Sequence, residues 1–386
     1  DKDTSPLVVG EWDNTQVLPD NSESNIIVSS PPNQYLRWEK TTNWNGGLDV
    51  AVLGNRIAFT ADVYRRVSDD LIGMRSLPGE NGFDYSTMNW AKLTNRGYEL
   101  SLSTVNVKTK DFRWVMDFNL AHNKSKINRL NVRDNSYEPS REGYSVGAVF
   151  SLKTAGLDEN GLQMFYNKQG EKVSFNDFFG LEYGYMMGGL IPFLKSNLSA
   201  EEYRNLFTYE GTTEPKFTGG WINRFYYKNF DLTVSASFVL DQTVQEQPFY
   251  NPVQTSPGQN YSRRMSQIWS PDNTSGKYPR IMGTYTEGEE NWAYQWLGML
   301  DPGNSYRKYD YWFKKMSYMR INSIRLGYTF PERLLGHIGF SSARISFEAR
   351  NPFVFGSSYK GYFDPETYGN IYTLAKTFSC GIDLTF

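Results

Sequence analysis

From Lys376 to Phe386 the chain reads KTFSCGIDLTF, and its side chains alternate. Phe378, Cys380, Ile382, Leu384 and Phe386 occupy one set of positions; Ser379, Gly381, Asp383 and Thr385 occupy the other. A side-chain period of two makes a strand with one apolar and one polar face. The apolar face has to be covered, either by a second layer of protein or by lipid. Ending on an aromatic suits a transmembrane barrel, where aromatics ring both membrane surfaces. The terminal strand of a soluble sandwich would show the same alternation, so this stretch leaves both open.

The pattern recurs along the chain. Ile57, Phe59, Ala61 and Val63 alternate with Ala58, Thr60, Asp62 and Tyr64, and Gly54-Asn55 joins them to a strand before them as a tight hairpin turn. Tyr98, Leu100 and Leu102 alternate with Glu99, Ser101 and Ser103, and a KTKD turn leads to Phe112, Trp114, Met116, Phe118 and Leu120. Phe217–Tyr227 and Leu232–Leu240 form another pair through Lys228-Asn229. A last pair joins Ile324–Phe330 to Ala343–Ala349, with a phase slip near Ile321–Ser323 that predicts a bulge. Aromatics make up 16% of the residues and there are 33 glycines, which fits an all-β protein and not a helical bundle. No run approaches the ~18 apolar residues of a membrane helix, which leaves barrel strands open. A net charge of −2 makes no electrostatic case for nucleic acid. The single cysteine, Cys380, has no internal disulfide partner and sits on an apolar face.

The connections fall into two classes. They are short after Leu53, Val107, Tyr227 and Phe330, and long near 71–91, 127–215, 242–316 and 354–373. Long loops are uncommon in compact domains, whereas outer-membrane barrels have short periplasmic turns and long outer loops. On that orientation nine strands alternate without contradiction, near 37–53, 56–70, 92–106, 112–126, 216–228, 230–241, 317–330, 343–353 and 374–386. Val146–Leu157 would break the alternation and belongs in the long loop, with GLQMFYNKQGEKV as a small hairpin. Residues 1–36, punctuated by Pro6, Pro19, Pro31 and Pro32, read as an irregular extracellular loop; 127–215 and 242–316 read as long extracellular loops. Single-chain bacterial barrels use even strand numbers, so nine antiparallel strands read as the C-terminal portion of a larger transmembrane β-barrel.

Several stretches resemble one family: LRWEKTTNWNGGLDVAVLGNRIAFTADVYRRVSDDLI, LTNRGYELSLS, GAVFSLKTAGLDENGLQMF, PKFTGGWINRFYYKNFDLTVSASF, SYMRINSIRLGYTFPERLL and the terminal strand. Together they are similar to the C-terminal half of SusC/RagA-like TonB-linked outer-membrane transporters of Bacteroidetes. The resemblance implies a 22-stranded barrel, a size associated with a plugged lumen, located in the outer membrane. It implies a plug domain, a TonB box and a signal peptide upstream of this chain, and coupling to the TonB complex through that part. It also implies import of oligosaccharides or peptides together with a SusD-like surface lipoprotein. No enzyme activity, cofactor or metal is expected. The competing reading is a soluble or surface-attached β-rich glycan-binding protein, which would need a second sheet over its apolar faces.

Candidate site residues are few. His122, near a strand end, and His337, in a turn, read as surface or girdle histidines. Asp69-Asp70 and Glu289-Glu290 read as solvated charges, and Asp158–Gly161 (DENG) as a tight turn. The charges Asp62, Arg66, Glu99, Arg113, Asp117, Arg325, Glu348 and Arg350 read as a polar lumen. The richest aromatic cluster is 291–313, where Trp292, Trp296, Tyr306, Tyr309, Tyr311 and Trp312 are the candidates for substrate or partner binding. The same residues could instead pack the loop's own core or anchor at the membrane surface. Ser199 and Glu202, at capping-box spacing, predict a short helix in the longest loop.

Overall fold

The computed structural model describes residues 9–17, 24–77, 79–83, 85–130, 137–186, 191–252, 258–281, 305–335, 339–356, 364–366 and 373–386. The strands β1 (Val9–Val17) and β2 (Ser24–Ser30) pair with each other as an antiparallel hairpin. This corrects the reading of 1–36 as irregular: Pro19 falls between the two strands, and Pro6, Pro31 and Pro32 fall outside them. Next come β3 (Lys40–Val52), β4 (Ile57–Ser76), β5 (Tyr85–Lys108) and β6 (Phe112–Arg129), each antiparallel to the one before. A long connection then carries β7 (Ala148–Ser151), β8 (Thr154–Leu157), β9 (Gln163–Tyr166), β10 (Lys172–Val173), β11 (Leu181–Met186), β12 (Ile191–Ser196) and β13 (Thr208–Thr212). Long strands resume with β14 (Phe217–Tyr227), β15 (Phe230–Gln245), β16 (Phe313–Thr329), β17 (Ser342–Phe355) and β18 (Thr377–Thr385).

Nine strands, β3 to β6 and β14 to β18, make one sheet in sequence order, with every neighbouring pair antiparallel. These are the nine strands that the alternation picks out. The segment Val146–Leu157 stays out of the sheet: β7 pairs with β13, and β8 joins β9 and β10, whose hairpin lies within GLQMFYNKQGEKV. The bulge near Ile321–Ser323 is present on both sides of β16. One expected loop is wrong. Residues 71–91 are mostly strand, because β4 runs to Ser76 and β5 starts at Tyr85. Register shifts at Ser68/Leu71 and Leu71/Ile72, with Asp70 at a positive φ of 57°, break the alternation there and hide the continuation.

The two faces of the sheet differ in chemistry row by row. Val50, Phe59, Leu102, Phe118, Trp221 and Ala236 are cross-strand partners on one face. One residue along, Asp49, Thr60, Ser101, Asn119, Gly220 and Ser237 are partners on the other. The apolar face stays uncovered, with Phe347 42% and Ile382 68% exposed. The second sheet that a soluble sandwich needs is not found over it among the described residues. Aromatic pairs border this face at both ends. Trp114 stacks on Phe225 at 5.6 Å and Phe230 lies 4.5 Å from Tyr328 near the short turns. At the far end His122 sits between Tyr98 and Phe217, 5.2 Å from each, and its Nδ1 lies 2.5 Å from the Lys216 carbonyl oxygen. That is the girdle position expected for it. Trp114 and His122 are separated by about 27 Å of strand at ~3.4 Å per residue, comparable with an apolar band about 25 Å tall.

The face assignment predicts an asymmetry between adjacent residues. Phe118→Arg in the complete protein should cost about 2–4 kcal/mol of folding free energy in lipid bilayers, while Asn119→Arg should be nearly silent. Equilibrium unfolding from vesicles measures both, and equal losses would refute the assignment.

Candidate functional site: an aromatic-cored cap on a polar wall

The two longest connections fold together. Leu152, Phe165, Phe175, Phe178, Phe179 and Tyr203 of the first share one buried core with Tyr250, Ile268, Tyr309 and Trp312 of the second. Phe165 stacks on Phe178 at 4.4 Å and meets Tyr309 edge-on at 5.2 Å, and Trp312 stacks on Tyr278 at 5.4 Å. Aromatic pairs of this kind add about 0.5–1.5 kcal/mol each beyond their burial. Polar links tie the two segments: the Leu152 amide donates to the Lys308 carbonyl at 2.8 Å, and Asp310 Oδ1 accepts from the Thr154 hydroxyl at 2.6 Å. The Arg264 guanidinium lies 4.5 Å over the Phe249 ring and donates to Glu246 and to the Tyr278 hydroxyl. Burial works to lower that group, but the bonds to Glu246 and Tyr278 outweigh it and leave it above the ordinary arginine value.

Local signals explain the cap's smaller pieces. Ser199 and Glu202 form the expected capping box at Ala200–Arg204, with the Glu202 carboxylate accepting from the Ser199 amide at 2.8 Å. The same bonds hold the Glu202 carboxyl below its usual range. Asp158 accepts from the amides of Asn160 and Leu162, so DENG is the tight turn expected. Gly161 in that turn has φ of 77°, and any Cβ there would run into the Trp269 ring.

The aromatic candidates divide. Tyr309 and Trp312 have no exposed surface, and Tyr306 and Tyr311 pack against the same core. Burial pushes the Tyr306 phenol up. These four therefore build the cap, the alternative role weighed for the cluster. Trp292, Trp296, His337 and Glu289-Glu290 lie outside the described residues. Among the aromatics that the cap exposes, Tyr144 and Tyr209, 40% and 41% exposed, stack at 4.7 Å, with Phe150 against both, and the sequence gives no direct sign of this pair. Their signal was weak, since β7 and β13 lie far apart in sequence and become neighbours only by pairing.

Below the cap the inner face of the wall carries several polar pairs. Asp117 accepts from Ser103 at 2.5 Å and from Arg224, Thr60 donates to Asp49 at 2.7 Å, and Arg350 donates to Glu348 at 3.0 Å. Asp69 and Asp70 depart from the solvated reading. Asp70 is 8% exposed and pairs with Arg37 at 2.5 Å, and Asp69 pairs with Lys92 at 2.7 Å. Two glycines shape this face. Tyr64 reaches across Gly97 on the next strand to donate to Asn123, two strands away, at 3.0 Å. Arg344 reaches across Gly327 in the same way to grip both carboxylate oxygens of Asp231 at 2.6 and 2.8 Å. A Cβ at either glycine would occupy the path of the bridging side chain. An isolated glycine in a strand is the sequence mark of such close approach, and both lie in stretches that carry the family resemblance.

Comparison with known proteins agrees with this geometry. The family described as TonB dependent receptor-like, beta-barrel matches residues 12–190. The chain is similar to TonB-dependent receptors over most of its length. It is 28% identical over 367 residues to TonB-dependent receptor SusC of Bacteroides thetaiotaomicron, covering 92% of the chain and 32% of SusC. It is 27% identical over 405 residues to TonB-dependent receptor P3 of Formosa agariphila, covering 96% of the chain and 36% of P3. The solved RagAB peptide transporter superposes with a TM-score of 0.69 at 22% identity, over 98% of the chain and 38% of that chain. The chain is thus SusC/RagA-like and resides in the outer membrane, and it spans about a third of the length of these relatives.

Substitutions at Trp312 and at Gly327 in the complete protein test the site. Trp312→Ala should cost about 3–5 kcal/mol, as large aromatic truncations do, and should open the cap to proteolysis while the barrel stays heat-resistant. Trp312→Phe should cost much less, because among the described residues the indole Nε1 has no hydrogen-bond partner to lose. Gly327→Val should destabilise the barrel by about 1–3 kcal/mol through overpacking. Adding Asp231→Asn and Arg344→Gln should then cost little more, as a thermal-unfolding cycle would reveal.

Proposed function

We propose that the complete protein is a TonB-dependent importer of oligosaccharides or peptides, and that this chain supplies part of its barrel wall and its outer vestibule. The observation that carries the reading is the cap, in which two long connections share one aromatic core at the end of a wall whose inner face is polar. Such a vestibule suits a soluble, hydrogen-bonding solute, and the long connections, 127–215 and 242–316, are the extracellular side. Among the described residues, nine antiparallel strands leave β3 and β18 as edges of the sheet. In lipid both edges need partners, and an odd number of further strands closes an even barrel; a 22-stranded barrel satisfies this.

The partner is a SusD-like surface lipoprotein that docks on the cap as a lid, and the TonB complex engages through a plug-bearing part of the complete protein. RagAB, described as a peptide importer in "open-open" and "closed-closed" states, is a relative in fold to which such a lid movement fits. The contact residues are the exposed Tyr144 and Tyr209, with Trp292 and Trp296 as further candidates. Interfaces draw most of their energy from a few aromatic anchors in a well-packed centre. Replacing Tyr144 and Tyr209 by Ala in one strain, and Trp292 and Trp296 by Ala in another, should slow growth on the imported nutrient or reduce lipoprotein co-purification several-fold. The barrel should assemble normally in both strains. Normal growth and normal co-purification in both would overturn the assignment of these contacts.

A further inference from the structure

Just beyond the Tyr98–His122–Phe217 girdle, the outward face of the wall turns basic. Arg65, Arg96 and Lys124 are direct cross-strand partners on β4, β5 and β6, two residues past the row of Val63, Tyr98 and His122. Lys126 lies on the same face two residues further along β6, and Lys216 sits beside Phe217 with its ammonium 5.7 Å from that ring. Arg65, Arg96, Lys124 and Lys126 are all exposed, and none is in an ion pair among the described residues. The nearest outward carboxylate, Asp69, is four positions along β4 and already holds Lys92 at 2.7 Å. Like charges directly opposite one another destabilise a sheet. Three cations in one row across three strands therefore oppose pairing unless an anion lies over them.

The place of the row indicates which anion. Apolar side chains and then aromatics lie on its membrane side, so the row falls at the depth of lipid headgroups. Adjacent strands are about 4.8 Å apart, which spreads the three cations over about 10 Å, a span that one or two phosphates can bridge. Arginine adds a planar fork suited to phosphate oxygens. We propose that Arg65, Arg96 and Lys124 form a binding site for the phosphate of an anionic lipid packed against the wall on the long-connection side. The site rests on the receptor's place in the outer membrane and is independent of the nutrient imported.

The test uses the complete receptor in a zwitterionic detergent, with phosphorylated lipid A as the probe and inorganic phosphate at matched concentration as a separate arm. Native mass spectrometry counts bound lipid, and thermal unfolding reads the stabilisation. Each basic side chain at an anionic membrane surface contributes about five-fold in affinity (about 1 kcal/mol). Arg65→Gln, Arg96→Gln and Lys124→Gln together should therefore weaken lipid binding about 100-fold and abolish the lipid-dependent rise in melting temperature. The charge-preserving Arg65→Lys, Arg96→Lys variant should keep most of both. Lys108→Gln, Lys110→Gln and Lys228→Gln, equal in charge loss but at the short turns, should change neither. If the triple variant does not assemble, Lys124→Gln alone should lose about five-fold. Undiminished lipid binding by the row variants would overturn the proposal. So would a stabilisation reproduced by inorganic phosphate alone, which would make the ligand a soluble anion.

Discussion

A strand that crosses a bilayer can leave no backbone donor or acceptor facing hydrocarbon. In this chain that constraint is met by long antiparallel ladders, and the side chains follow from it. Once pairing fixes the backbone, successive residues have to point alternately into lipid and into water. The row from Val50 through Phe59, Leu102, Phe118 and Trp221 faces lipid, and the row beside it, from Asp49 to Ser237, faces the lumen. Several inward carboxylates and guanidiniums pair with one another, Asp117 with Arg224 and Asp231 with Arg344 across strands and Glu348 with Arg350 along one strand. Gly97 and Gly327 extend this to partners two strands apart by leaving the intervening position empty.

The upper part of the molecule solves a different problem. Long connections cannot use the membrane to bury apolar side chains, so they need a core of their own. Tyr309 and Trp312 from one connection close over Phe165 and Phe179 from the other, and neither connection completes that core alone. A third link comes from the connection before β18. Arg320, 2% exposed on the inner side of β16, pairs with Asp364, and Glu366 Oε1 lies 3.0 Å from its Nε but off the N–H direction. Asp364 and Glu366 are thereby held against the wall.

The nine wall strands could be read directly from the sequence because a two-residue period survives wherever one face meets lipid. Legibility failed where that period was interrupted or unnecessary. The bulge at Asp70 hides the upper third of the β4–β5 hairpin, and the same residue reads as solvated because its partner Arg37 is distant in sequence. The β1–β2 hairpin is hard to read because Pro19 falls between its strands and Pro6, Pro31 and Pro32 flank them. The roles of Tyr309 and Trp312 depended on which distant segment would cover them, and no local pattern carries that information. Gly97 and Gly327 were visible as letters, but their purpose became clear only with the neighbouring register.

The central claim is that the alternation in β6 separates lipid from an aqueous lumen. Cysteine scanning of Phe112–His122 in the complete receptor, with Cys380 replaced first, tests it most directly. A membrane-impermeant thiol reagent should label positions 113, 115, 117, 119 and 121, whereas probes at 114, 116, 118 and 120 should be quenched by nitroxide lipids and stay unlabelled. Labelling that ignores this two-residue period, or quenching of both sets alike, would contradict the account.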